Sequence, residues 1–128
     1  MSKTVIHSDA APKAIGPYSQ AIKVGRTVYM SGQVPLNPET GELVANDLDA
    51  EIRQIFKNLT AVANAAGGSL ADAVRLGVYL TDLNDFAALN ALMAEFVPQP
   101  FPARSTIQVA ALPRGARVEI DAVLELPA

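Results

Sequence analysis

The sequence contains no cysteine and only one histidine, His7. The first absence excludes a disulfide framework, thiolate chemistry and a Cys-based zinc site. The second leaves no material for a His-cluster metal centre or a His-based triad, and His7 itself reads as an ordinary surface residue. Tryptophan is missing too, and aromatics make up 5% of the chain, so there is no basic, aromatic-interleaved stripe on which bases could stack. Positive charge is also scarce, with 10 basic against 13 acidic residues and a net charge of −3. That balance argues against a nucleic-acid partner, because neutralising phosphates takes clustered Lys and Arg. No apolar run approaches the ~20 residues needed to span a bilayer. Met1-Ser2-Lys3-Thr4 lacks the apolar stretch of a signal peptide. The expectation is a cytoplasmic protein with no membrane partner.

The 128 residues fit one domain, 1–128, and a hydrophobic fraction of 50% excludes a disordered chain. Charged residues amount to only 18%, against roughly 25% in soluble domains. So few charges cover a small monomer's surface poorly, and part of the apolar excess reads as an oligomer interface. Abundant alanine raises the same figure and is the blander explanation.

Thr4-Val5-Ile6 is a short strand, and Ser19–Val24 faces Thr27–Ser31 across Gly25-Arg26 as a hairpin. Pro35, Pro38 and Thr40-Gly41 form a loop. A helix capped by Asp47 or Asp49 follows, with Ile52, Ile55, Phe56, Leu59, Val62, Ala63 and Ala66 on one stripe and Gly67-Gly68 as its stop. Val74–Leu80 reads as a strand. Thr81 or Asp82 opens a second helix with Phe86, Leu89, Met93, Phe96 and Val97 on one face, ended by Pro98, Pro100 and Pro102. Strands Arg104–Val109 and Arg117–Leu126, joined by a Pro-Arg-Gly turn, close the chain. The order β-β-β-α-β-α-β-β implies an α+β fold, a mixed sheet with both helices on one face and right-handed crossovers. In the last strand, Val118, Ile120, Ala122 and Leu124 alternate with Glu119, Asp121, Val123 and Glu125. The sheet face away from the helices therefore needs a partner.

No dinucleotide fingerprint, phosphate loop, G-x-S-x-G elbow or H-E-x-x-H is present. Asn58-Leu59-Thr60 matches a glycosylation sequon but lies inside the first helix. The informative segment is Phe101-Pro102-Ala103-Arg104-Ser105-Thr106-Ile107-Gln108-Val109. Arg104 opens a strand after two prolines, a rigid mount for a planar fork that binds a carboxylate bidentately. An ion pair with an acidic neighbour such as Glu119 would explain it equally well. Glu119, between Val118 and Ile120, is either a surface residue or a carboxylate aimed into a cleft, where it could hold a water or move a proton. Tyr18 and the Ser31-Gly32 pair offer a phenol, a hydroxyl and close backbone approach, or plain turn chemistry.

Pro102-Ala103-Arg104-Ser105-Thr106-Ile107 through Val118-Glu119-Ile120 closely resembles the signature of the RidA (YjgF) family of reactive-intermediate deaminases. Gly16-Pro17-Tyr18-Ser19-Gln20-Ala21, Ser31-Gly32-Gln33 and Leu83-Asn84-Asp85-Phe86 resemble further family blocks, in the family's order. The resemblance spans essentially the whole chain. It implies a chorismate-mutase-like fold, a homotrimer with a central barrel, and clefts between subunits. It also implies hydrolysis of 2-imino acids to 2-oxo acids and ammonia, with no metal or organic cofactor. These imines are tautomers of the enamines that pyridoxal-phosphate dehydratases release. In that reading Arg104 binds the substrate carboxylate and Glu119 holds the attacking water. Tyr18, Ser31, Gly32, Thr106 and Asn90 complete the pocket. Thr106 stands where many relatives carry Cys, so thiol-based regulation is not expected. The other candidate roles are a non-catalytic trimeric sensor of small 2-oxo or amino acids, and nuclease or translation inhibition, which the acidic charge disfavours.

Overall fold

Gly25 takes a φ of 61°, which costs a glycine little, and closes the first hairpin over the two residues expected. The structure, a computed structural model, describes residues 2–128. Its elements are β1 (Thr4–Ile6), β2 (Ala21–Val24), β3 (Thr27–Gln33), α1 (Leu48–Ala65), β4 (Ala73–Leu80), α2 (Phe86–Phe96), β5 (Ala103–Gln108) and β6 (Val118–Glu125). The chain order is the one the sequence pattern implied. No helix is long and apolar enough to cross a membrane among the described residues.

Helix α1 is fixed at both ends. The Asp47 carboxylate accepts from the Ala50 amide while Glu51 accepts from the Asp47 amide, a reciprocal cap. At the other end Gly67 turns left-handed (φ 92°), and the Gly67 and Gly68 amides donate to the Asn64 and Ala63 carbonyls. Between them the whole expected stripe from Ile52 to Ala66 is buried. Helix α2 starts later than a direct Asp82 cap would place it. Asp82 caps a short 3₁₀ turn, Leu83–Asp85, and α2 proper begins at Phe86. Leu89, Met93 and Val97 are buried as expected, joined by Leu92. Phe96 stacks on Phe56 of α1 at 5.0 Å between ring centroids. Phe86 departs from the stripe: it is 37% exposed.

The sheet runs β1-β2-β3-β6-β4-β5. Only β4 and β5, linked through α2, pair in parallel; the other neighbours are antiparallel. Strand β6 is therefore central. Its Val118, Ile120, Ala122 and Leu124 lie in one core with α1 and α2, while Glu119, Asp121 and Val123 are half-buried on the opposite face. That opposite face carries no helix, and Tyr29, Ile107 and Val5 stand 49–65% exposed on it. Although a turn joins them in sequence, β5 and β6 are not neighbours, because β4 lies between. The alternative reading of Arg104 as the ion-pair partner of Glu119 is thereby removed.

One charged contact ties the helical layer to β6. Glu51 is buried at 2% exposure and takes two hydrogen bonds from the Arg117 guanidinium, one of them Nε to Oε1 at 3.2 Å. Arg117→Met should cost about 2 kcal/mol in urea unfolding, less than the ~3–5 for a fully buried pair because the Arg117 side chain is 43% exposed. Adding Glu51→Gln should recover part of that loss, since no uncompensated charge then remains inside.

Candidate functional site

Arg104 points from β5 toward α2. Its Nη1 donates to the Asn90 Oδ1 at 2.6 Å and lies 3.5 Å from the Met93 Sδ, while its Cζ sits 5.1 Å from the centroid of the Phe86 ring. The exposed Phe86 is thus accounted for: it lies against a guanidinium, a cation–π arrangement. Neither Asn90 nor Phe86 carries charge, and no carboxylate pairs with Arg104 among the described residues. The fork is oriented yet not neutralised. Beside it lies a cleft of about 430 Å³ walled by Met93, Ala94, Phe101 and Pro102. Thr106, two residues along and on the same side of β5, has a buried Oγ1 without a hydrogen-bond partner. Such an orphan costs ~1–3 kcal/mol.

Glu119 belongs to a second cleft, of about 530 Å³, which it shares with Tyr18, Ser31, Gly32, Lys13 and Arg114. The β3–β6 register shifts between Met30 and Gln33, which places Gly32 beneath the Glu119 side chain. A Cβ there would overlap the Glu119 carboxylate, so glycine is needed for the acid to lie in this position. Ser31 donates its hydroxyl to the Ser19 carbonyl at 2.6 Å. The Tyr18 hydroxyl accepts a long 3.4 Å bond from the Ile15 amide, and its ring is 54% exposed. Burial, then the nearby Asp121 carboxylate, pushes the Glu119 carboxyl above the usual glutamate range.

Sequence reasoning grouped seven residues, and one chain divides them. Arg104, Asn90 and Thr106 lie on the helix-facing side of β5. Tyr18, Ser31, Gly32 and Glu119 lie in the other cleft, with Glu119 on the opposite face of the sheet and β4 intervening. The expectation of a fork directly beside an acidic group is not met within a single chain. The sequence pattern assigns Phe86 and Met93 to the core face of α2 and gives Phe101 no role in the site; the i, i+4, i+7 spacing of Phe86, Asn90 and Met93 is the signal that places them around Arg104. A further groove, of about 850 Å³ and including Asp9, Lys57 and Phe96, holds none of the seven.

A small α+β protein of this fold has many counterparts. The family model described as Endoribonuclease L-PSP matches residues 8–126. A Dermatophagoides farinae protein named 2-iminobutanoate/2-iminopropanoate deaminase is 47% identical over 95% of each chain. Among solved structures, RidA from the Antarctic bacterium Psychrobacter superposes with a TM-score of 0.93 at 50% identity, covering 96% of this chain and 99% of that one. E. coli TdcF with bound serine superposes with a TM-score of 0.91 at 39% identity, over 97% and 99%. This chain belongs to the YjgF/RidA family. Its mixed sheet with two helices is the fold of those structures.

Gly32→Ala tests the geometry of the acid. The obstructed group is the end of a flexible side chain, so stability should change by less than ~1 kcal/mol while Glu119 is displaced toward solvent. In a carboxyl-carbon NMR titration, the Glu119 midpoint should then fall toward the ordinary glutamate value. An unchanged midpoint would show that the acid does not depend on the missing side chain.

Proposed function

We propose that this protein hydrolyses 2-imino acids to 2-oxo acids and ammonia, at sites built from two copies of the chain. The observation that carries the reading is the Arg104 guanidinium, aimed by Asn90 and Phe86 yet paired with no protein anion. A fork held by neutral groups keeps its full charge for a ligand carboxylate. The names of the relatives support the reaction class, and the serine in TdcF is a small molecule with the same α-carboxylate.

The two half-sites occupy different surfaces, so they meet only through a heterologous contact, which closes into a ring when the rotation permits. The family resemblance supplies the number three, with the helix-free sheet faces forming the central barrel. Arg104, Asn90 and Thr106 then come from one chain, and Tyr18, Ser31, Gly32 and Glu119 from its neighbour. Arg104 binds the carboxylate of an iminium, R–C(=NH₂⁺)–COO⁻. Glu119 takes a proton from water as its oxygen bonds to the imine carbon and the C=N π pair moves to nitrogen. The resulting carbinolamine accepts that proton on nitrogen. As the C–N bond breaks, the hydroxyl proton passes to the again ionised Glu119 and the C=O forms, releasing a 2-oxo acid and ammonia. Positioning and one acid/base group suffice for an already electrophilic carbon; the second contributes ~10²- to 10⁴-fold. The scheme uses no metal or organic cofactor, and the substrates are the imines formed in the cytoplasm from dehydratase-released enamines.

A threonine dehydratase coupled to 2-oxobutanoate formation tests both claims. Arg104→Ala should lose about 100-fold or more of the acceleration over spontaneous hydrolysis, and Arg104→Lys about tenfold. Arg104→Ala and Glu119→Gln subunits, inactive separately, should on mixed reassembly regain about one quarter of wild-type activity, since one interface in four then joins an intact Arg to an intact Glu. No recovery would place both residues in one chain's site. Ligand binding without any acceleration would make the protein a sensor.

A further inference from the structure

Beyond the seven residues already placed, the helix-free face carries an ordered acidic pair. Glu119 and Asp121 project from the same side of β6, about 6.8 Å apart along the strand. They lean in opposite directions, each over a glycine. Glu119 lies over Gly32 of β3, and Asp121 lies over Gly77, its antiparallel partner in β4, where a Cβ would collide with the Asp121 carboxylate and the Tyr79 hydroxyl. Tyr79 is the cross-strand partner of Glu119, yet its hydroxyl reaches diagonally to donate to the Asp121 Oδ2 at 3.0 Å. That hydrogen bond, more than burial, pushes the phenol above its ordinary range and keeps it a donor. Two glycines and a tyrosine thus fix two like charges on divergent paths, although repulsion and solvation alone would let both swing outward.

We propose that Asp121, held over Gly77 by Tyr79, is a positioning residue that keeps Glu119 turned over Gly32 into its cleft. The inference rests on the reading of Glu119 as the group that handles water. A fixed negative charge behind a half-buried carboxylate disfavours its ionised form, the same direction in which burial acts. The other charged or titratable groups facing Glu119 are Tyr79 on β4, and Lys13, Tyr18 and Arg114 around the cleft, while the exposed Arg75 lies further along β4, opposite Val123 and beyond Asp121. Of all these, Asp121 alone is an acid. A glutamate with ordinary affinity would hold the water but take its proton reluctantly; a raised one does both nearer to neutral pH.

The test reads Glu119 directly, by carboxyl-carbon NMR titration of the intact resting protein, with Glu119→Gln assigning the resonance. Asp121→Asn keeps the shape and removes the charge, so the Glu119 midpoint should fall by about half a unit or more. The acidic limb of kcat/KM should move to lower pH by a similar amount. Tyr79→Phe releases the clamp without touching either carboxyl and should give a smaller shift in the same direction. An Asp121→Asn midpoint that stays put, or rises, overturns the inference and leaves the proposed reaction standing. A midpoint that falls supports the inference. If the rate profile then ignored that fall, the water-handling role of Glu119 would be the part that fails.

Discussion

The alternation of strand β6 is the constraint on which everything else depends. Every second side chain from Val118 to Leu124 is locked into the core against the helices, so Glu119 and Asp121 have no choice of face. A slip of one residue would bury both carboxyls and expose four apolar side chains, a change comparable to the whole stability of a small domain. The core therefore sets the direction of the acid with a precision that no local hydrogen bond could supply. Because β4 separates β6 from β5, the same register puts the acid out of reach of Arg104. Core packing in one chain dictates a divided site.

The division makes electrostatic sense. An Arg and a Glu left together in one chain would pair, and a ligand anion would have to break that pair before binding. Apart, neither neutralises the other, and the groups that orient Arg104 are themselves neutral. Asn90 takes one N–H of the fork through an amide oxygen, and Phe86 covers its face with a ring. An aspartate at position 90 would orient the fork equally well and cancel its charge. Among the described residues Glu119 has no basic partner within hydrogen-bonding distance, and it is held by space instead, through the absent side chain of Gly32. The contrast with Glu51 and Arg117 is instructive. That pair is joined within one chain and is spent on holding α1 to β6.

Short-range signals locate the helices and hairpins. Asp47, the α1 stripe and Gly67-Gly68 located the long helix because capping and periodicity act over a few residues. Gly25-Arg26 marked its hairpin for the same reason. Arg104 and Glu119 were recognisable as candidates because charged groups on apolar strands are unusual. What the sequence hid was strand order. Nothing between Gln108 and Val118 announces that β4 is inserted between the closing strands, since sheet order is decided by long-range packing. The start of α2 was displaced because Asp82 caps a 3₁₀ turn before the helix proper. Phe86 was misjudged as core for a related reason: periodicity reports that a face is covered, and a guanidinium covers it as well as a leucine would.

On the proposed reading, the low charge content and the separation of Arg104 from Glu119 have one cause. A sheet with helices on one side leaves Tyr29, Ile107 and Val5 in water unless another surface meets them. Burying such a face between copies of the chain is favourable at roughly 25 cal/mol per Å² of apolar area before association costs are subtracted. On the proposed reading, the contact that shelters these side chains also brings each Arg104 to a neighbour's Glu119 and excludes water from the space between. Fork and acid would then strengthen their hold on a small anion in the low-dielectric gap, which neither could do on an open surface. Catalysis would therefore not exist in the separated chain, and the apolar sheet face would be as much a part of the active site as the residues that touch the substrate.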